Sequence, residues 1–528
     1  MKKLYGLPTL VALLAAFFIF SVSRYSKYDG PDAFVWRVPL DLLIYKLAGE
    51  EVAGGANLYD NAYIGDLPFT YPPFAGTLFM WISSLTDDTL IIVWQGGTIL
   101  ALLAVILLVF HERGLKLSPL NWVVVILLVL CAPAMEPMYG TLFFGQINVF
   151  LMLLVALDVI PRKRALPGIG IGLAAGLKLT PAFMGLVLLF QRRRWQALIC
   201  VLVFAITVAI GFVTIPDAGQ FWTYAIFDSS RVGEHTNPGA QSLRSVMVRA
   251  WGIDGGWMWI AAVAVVFVLT CLALRTAMKH KNNSAAMSLA GICACLISPF
   301  SWYHHWVWAF PMALVVLISV NQVLGKRLRG VIGAQVAALV SFLAMCVVLL
   351  PYVSAALWPE GANRSLNHAD FQPWAMLIFT ASGILYIAFY ALWGFIPGTQ
   401  PSAQNSAQPS AKSSAQTGPQ TSTQPSAQPS AQPSAKPTTQ PSTENPRGIL
   451  PAAPHPATPR QHVSLKKPSP LQRTHADGKS TPGNAVSTDE TAQFPVVNPE
   501  TRVFPAAEGY GDIPAPSSSG GRHNRDKD

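Results

Sequence analysis

The feature that most constrains this chain is the recurrence of apolar stretches. After a run from Leu7 to Val22, apolar runs follow at roughly 73–86, 89–110, 119–135, 146–160, 166–177, 180–190, 196–215, 257–278, 285–299, 303–320, 331–350 and 373–395. A perpendicular membrane helix needs about 20 apolar residues. Several runs are shorter, which implies broken or tilted helices, or hairpins shielded by neighbouring protein. With 52% hydrophobic and only 12% charged residues in 528, the chain is too apolar for a soluble enzyme of this size. The expected architecture is an all-α polytopic membrane bundle of about twelve spans.

The net charge of +10 is concentrated in short clusters between the runs: Arg162-Lys163-Arg164, Arg192-Arg193-Arg194, Lys279-His280-Lys281 and Lys326-Arg327-Leu328-Arg329. That distribution marks cytoplasmic loops of a plasma-membrane protein and gives no reason to expect a nucleic-acid partner. Counting back from Arg162 puts His111 to Lys116 on the same side, provided the run at 73–86 dips into the membrane and returns. The count is then twelve full crossings with both termini in the cytoplasm. Lys2-Lys3 and the first run resemble the start of a signal peptide, but Ser23-Arg24-Tyr25 offers no small-residue cleavage site, so a retained helix is expected. All six cysteines fall inside apolar runs, where they behave as small hydrophobes. Neither a disulfide framework nor a zinc site is indicated.

In this topology the unusual polar residues gather outside, in the loops 24–72, 216–256 and 351–372 and at three junctions: Gly145-Gln146-Ile147-Asn148, Lys178-Leu179-Thr180-Pro181 and Ser298 to His305. A site that opens outward beside lipid suits a lipid-borne substrate. Asp41 stands among apolar neighbours, where a carboxylate needs a partner or a task; its other reading is a cap on a short helix after Pro39. Lys178 ends a helix with Gly168, Gly172 and Gly176 on a close-packing face, and reads either as a snorkelling lysine or as an anion-binding group at the tip of a hairpin. Gln146 and Asn148 read as helix caps or as amides for sugar hydroxyls. Arg244 precedes a short surface segment and is either ordinary surface charge or a phosphate partner. His304 and His305 lie in an aromatic belt with Trp302, Tyr303, Trp306 and Trp308. Adjacent residues on a helix point about 100° apart, so the two rings do not grip one ion. There is no HExxH spacing or carboxylate cluster, so neither a metal nor another cofactor is expected, and imidazole donation to phosphate is the better use.

Together these residues resemble glycosyltransferase family 87. The likeness rests on Leu40-Asp41-Leu42 with Tyr45, Tyr71-Pro72-Pro73, Gly145-Gln146 with Asn148, Lys178 with Pro181, Ser242-Leu243-Arg244, and Ser301-Trp302 with His304-His305, in that order over roughly residues 35–320. The family comprises polytopic GT-C transferases and includes the polyprenol-phosphate-mannose-dependent alpha-1,2-mannosyltransferases of actinobacteria. The resemblance implies metal-independent, inverting transfer from a polyprenyl-phosphate sugar to a lipid-linked glycan acceptor of phosphatidylinositol mannoside or lipomannan type. It makes Asp41 the catalytic base, although Asp32, Asp60 and Asp66 share its loop. It also implies donor-phosphate contacts from Lys178, Arg244, His304 and His305, and sugar or acceptor contacts from Tyr45, Tyr71, Gln146, Asn148 and Trp302. Mannose is the expected donor sugar, with decaprenyl-phosphate arabinofuranose as the alternative. A flippase for lipid-linked saccharide is the rival class; it calls for midplane binding groups and inverted repeats, and the pattern has neither.

Beyond Pro397 the composition changes. Pro401-Ser402-Ala403-Gln404 recurs at 425–428 and 429–432, in a Pro, Ser, Ala, Gln and Thr-rich stretch that cannot bury a core. Residues 1–397 therefore read as the membrane enzyme and 398–528 as a disordered cytoplasmic tail.

Overall fold

The computed structural model describes residues 2–29, 38–161, 167–237, 239–352 and 377–395. The tail at 398–528, the cluster Arg162–Arg164, Asp32 and the loop 353–372 lie outside the described residues. The described residues are helical almost throughout: α1 (Leu7–Asp29), α2 (Leu40–Ala53), α3 (Pro73–Ser83), α4 (Asp87–Glu112), α5 (Pro119–Cys131), α6 (Glu136–Phe144), α7 (Asn148–Val159), α8 (Ile169–Leu177), α9 (Gly185–Phe190), α10 (Arg194–Thr214), α11 (Ala218–Gln220), α12 (Leu243–Trp251), α13 (Gly256–Lys279), α14 (Asn283–Ile297), α15 (Ala309–Arg327), α16 (Gly330–Leu349) and α17 (Ile378–Trp393). A two-stranded antiparallel ribbon, β1 (Ala62–Ile64) with β2 (Leu67–Pro68), is an addition to the all-helical expectation. It turns at Gly65-Asp66, with Gly65 at φ +56°.

Among the described residues, five helices are long and apolar enough to cross a membrane, or six when α5 and α6 count as one bent span. The run expected as one segment at 119–135 breaks instead, with an 80° bend before α6. Pro133 and Pro137 each remove an amide that a continuous helix needs, and Met135 between them is extended at φ −83° and ψ 129°.

Helix α14 lies at the centre, with every residue from Ser284 to Leu296 buried. A helix enclosed on all sides must be packed by protein all round. Its small side chains permit that: at Gly291 an added Cβ would lie 2.2 Å from Cγ of Trp308. Helices α13, α15 and α17 pack around it. On the outside, Val201, Ile206 and Val213 of α10, Val265 and Val268 of α13, and Val331 and Val347 of α16 are exposed, a surface suited to lipid.

Polar groups collect at two opposite ends. At one end Glu112 accepts the N–H groups of Asn283 and Ser284 at 2.6 and 2.9 Å, capping α14. Lys2 N–H donates to the Gly114 carbonyl, and Gln191 bridges Val159 and Asn283. Lys2, Arg113, Arg193 and Lys281 belong to this end or its immediate flanks. At the other end Lys46 of α2 pairs with Asp87 at the start of α4, at 2.5 Å. Trp94 lies further along α4 and donates its indole N–H to the Gly145 carbonyl at 2.8 Å. The rise from Asp87 to Trp94 is about 10 Å, so the α6–α7 junction is recessed by that much below the start of α4. Helices α7 and α8 are short, at 12 and 9 residues.

Candidate active site

Pro39 is extended, at φ −56° and ψ 149°, and launches α2 with Asp41 in its first turn. The Asp41 carboxylate accepts a hydrogen bond from Nε2 of Gln146. Gly145 makes that meeting possible. It ends α6 in the left-handed region at φ +69°, and an added Cβ would lie 2.7 Å from Cβ of Leu42 and 2.9 Å from Cβ of Pro39. Only glycine lets the junction approach α2 so closely with this backbone.

Gln146 is held from its other side. Its Oε1 accepts from the Tyr71 hydroxyl at 2.9 Å, and the Tyr71 and Tyr45 hydroxyls are 2.6 Å apart. Tyr45 stacks on Phe79 with ring centres 4.4 Å apart, and the Tyr71 carbonyl accepts from the Tyr59 hydroxyl at 2.7 Å. Burial pushes the Asp41 carboxyl up to about 6, while the Gln146 hydrogen bond and the positive charge of Lys178 pull it down.

Lys178 follows α8 in extended conformation, at φ −154° and ψ 129°. Its ammonium donates to Oδ1 of Asn148 at 3.0 Å and lies 5.3 Å from the centre of the Tyr71 ring. Asn148 passes the restraint on, donating Nδ2 to the His304 carbonyl at 2.9 Å. Burial lowers Lys178 to about 8, with the Asp41 charge opposing. The charges of Asp41 and Lys178 act on each other, yet the two form no ion pair among the described residues.

His304 and His305 lie in a 3₁₀ turn, Tyr303–Trp308, that leads into α15. His305 Nδ1 accepts from the Trp302 N–H at 3.2 Å, which places the proton of the neutral ring on Nε2. His304 is buried, its ring 5.4 Å from that of Phe144, and neither ring nitrogen has a hydrogen-bond partner among the described residues. Asn148, Lys178, Ser301, Cys295 and His305 line a small enclosed cavity of about 20 Å³. That is room for about one water.

The structure thus brings together two hydrogen-bonded groups, Asp41 with Gln146, Tyr71 and Tyr45, and Lys178 with Asn148, which meet where the Lys178 ammonium faces the Tyr71 ring, with His304 and His305 at their border. Trp302 stacks beside His304 and donates Nε1–H to the Val232 carbonyl at 3.1 Å. Arg244 belongs to a neighbouring group: it pairs with Asp254 at 2.6 Å, donates to Ser229 Oγ at 3.3 Å and lies 5.9 Å from the Trp259 ring. Its helix α12 is tied to the histidine turn through Gln241 N–H, which donates to the Ser301 carbonyl at 2.6 Å. Of the other acidic residues in the first loop, Asp60 and Asp66 are exposed, and Asp60 accepts from Asn57.

Two supporting residues escaped the sequence reading. Trp94 anchors Gly145, and Asp217 accepts the N–H groups of Leu58 and Tyr59 at 2.9 and 2.7 Å, clasping the loop between α2 and α3 to the segment after α10. A lone tryptophan in an apolar run and a lone aspartate after one carry no local signal of such distant partners.

The model of glycosyltransferase family 87 matches residues 69–299, which include Tyr71, Gln146, Asn148, Lys178 and Arg244. A polyprenol-phosphate-mannose-dependent alpha-(1-2)-phosphatidylinositol mannoside mannosyltransferase of Mycobacterium tuberculosis is 29% identical over 380 residues, 66% of this chain and 85% of that protein. A polyprenol-phosphate-mannose-dependent alpha-(1-2)-phosphatidylinositol pentamannoside mannosyltransferase of Mycolicibacterium smegmatis is 32% identical over 313 residues, 56% of this chain and 75% of that protein. The phosphatidylinositol mannoside mannosyltransferase of M. smegmatis is 30% identical over 387 residues, with 66% and 85% covered. No solved structure matches the chain. With a polytopic helical fold, a matching family model and relatives aligned over most of their length, the chain belongs to glycosyltransferase family 87.

Proposed function

We propose that the protein transfers mannose from a polyprenyl-phosphate mannose to a phosphatidylinositol mannoside or related lipid-linked glycan, with inversion, at the outer face of the plasma membrane. The observation that carries the chemistry is the placing, in one site, of a carboxylate held by Gln146 and an ammonium held by Asn148 beside the Tyr71 ring, with no ion pair between them among the described residues. Asp41 takes the proton of the acceptor hydroxyl as its oxygen bonds to the anomeric carbon. On the opposite face the bond from that carbon to the phosphate oxygen breaks, and polyprenyl monophosphate departs with the electron pair. Lys178 balances the departing charge. Asn148 holds Lys178, and His305 Nε2–H together with the unpartnered His304 ring supplies further hydrogen bonds to phosphate. Arg244 joins them only after releasing Asp254. Trp302 flanks the sugar.

The donor and acceptor are those named for the mycobacterial relatives. The outward orientation is supported by the basic residues at the end of the bundle opposite Asp41. Twelve crossings follow if the short helices α7, α8 and α9 each traverse a locally shielded part of the membrane and α3 turns back.

The test is transfer of labelled mannose from polyprenyl-phosphate mannose to phosphatidylinositol mannosides by purified protein, with Asp41→Asn beside it. Wild type labels the acceptor, and the variant loses about 10²- to 10⁴-fold in rate while keeping its fold. Full activity in Asp41→Asn overturns the base assignment. A wild type that moves intact donor across vesicles without transferring sugar overturns the enzyme reading.

A further inference from the structure

Tyr45, Tyr71 and Gln146 carry the polar atoms expected to meet sugar or acceptor, yet the structure spends those atoms on one another. The direction of each bond can be worked out. The carboxamide oxygen of Gln146 only accepts, so the Tyr71 hydroxyl donates to it. The Tyr71 oxygen then accepts from the Tyr45 hydroxyl. Gln146 is left with its Nε2 toward Asp41. With Asp41 as the carboxylate, which only accepts, the amide orientation follows from this network.

We infer that Tyr45, Tyr71 and Gln146 form a directed hydrogen-bond chain that positions the Asp41 carboxylate, occupying one oxygen and leaving the other for the acceptor proton. The inference rests on Asp41 being the base. The chain joins three separate segments: α2, the turn before α3 and the α6–α7 junction. Its three side chains are buried, and the tyrosine rings are wedged against Phe79 and Trp94. Hydrogen bonds in series polarise one another, so each hydroxyl strengthens the next donor toward the carboxylate. The Lys178 ammonium near the Tyr71 ring makes that hydroxyl a better donor still. An amide cannot pass a proton without adopting its imidic form. Gln146 therefore holds and polarises Asp41 and conducts nothing, which makes all three positioning residues.

The ionisable groups acting on Asp41 are Lys178 from the turn after α8, Tyr45 on its own helix and Tyr71 before α3. A pH profile of kcat/KM separates them. In Tyr71→Phe and in Gln146→Ala we expect kcat to fall about tenfold, the effect of one hydrogen bond to a charged group. The donor KM stays near wild type, and the acidic limb moves to higher pH because the carboxylate has lost its donor in Gln146→Ala and that donor has lost its anchor in Tyr71→Phe. The alkaline limb, set by Lys178, stays in place. Adding Tyr71→Phe to Gln146→Ala causes no further loss, because the chain is already cut. Tyr45→Phe keeps the ring stacking and shifts the acidic limb less, in the same direction, which protects the test should another variant fold poorly. An unmoved acidic limb, or a rise in KM with additive losses, overturns the chain in favour of sugar-pocket lining. Full activity in Asp41→Asn would instead remove the base on which the chain acts.

Discussion

At the scale of single residues, burial and charge set the range over which the site works. The proposed base, Asp41, is needed as a carboxylate, and burial raises it to about 6, so it is progressively protonated and silent below that pH. The proposed phosphate partner, Lys178, is needed as an ammonium, and burial lowers it to about 8, so it is progressively neutral above. The expected kcat/KM profile of the unliganded enzyme is therefore a bell with limbs near these two values. Lys178→Ala should remove the alkaline limb and move the acidic limb upward, because the cation that favours the carboxylate is gone; a pH series of initial rates checks both shifts. The acidic residue of the first loop and the lysine at the hairpin tip were legible in the sequence because an ionisable group beside apolar runs is costly without a task. The bond from Gln146 to Asp41 was not legible, since it spans 105 positions and no local pattern encodes it.

Among the elements, the α6–α7 junction is the most exacting. The motif Gly145-Gln146 with Asn148 acquires a mechanical meaning: glycine permits the approach, glutamine meets Asp41, and asparagine opens α7 while holding Lys178. Gly145→Ala forces a side chain into the left-handed region and against Leu42 and Pro39, at a cost of about 1–3 kcal/mol for the backbone alone. We expect a lower unfolding midpoint and a loss of transfer that exceeds the stability loss, measured by thermal unfolding in detergent beside the transfer assay. The bend between α5 and α6 shows the limit of reading hydrophobicity alone. The run to 135 is apolar throughout, but prolines on both sides of Met135 decide its geometry. The ribbon at 62–68 escaped notice for a related reason: it is too short and too mixed in pattern to stand out from a polar loop.

For the molecule as a whole, the spacing of apolar runs anticipated the helices almost segment by segment, because lipid leaves the backbone few alternatives. How many of the short helices cross the bilayer is a different matter, since length alone does not separate a shielded half-span from a tilted one. The recess that Trp94 records has a kinetic consequence. Under the proposed function, a lipid-borne donor and a lipid-borne acceptor reach the recessed α6–α7 junction from within the bilayer, by two-dimensional diffusion. The relevant concentration is then the mole fraction of donor in the membrane, and moles per litre of suspension are immaterial. In proteoliposomes, adding inert phospholipid at fixed total donor should slow transfer in proportion to the dilution, whereas diluting the whole suspension with buffer should leave the turnover per enzyme unchanged.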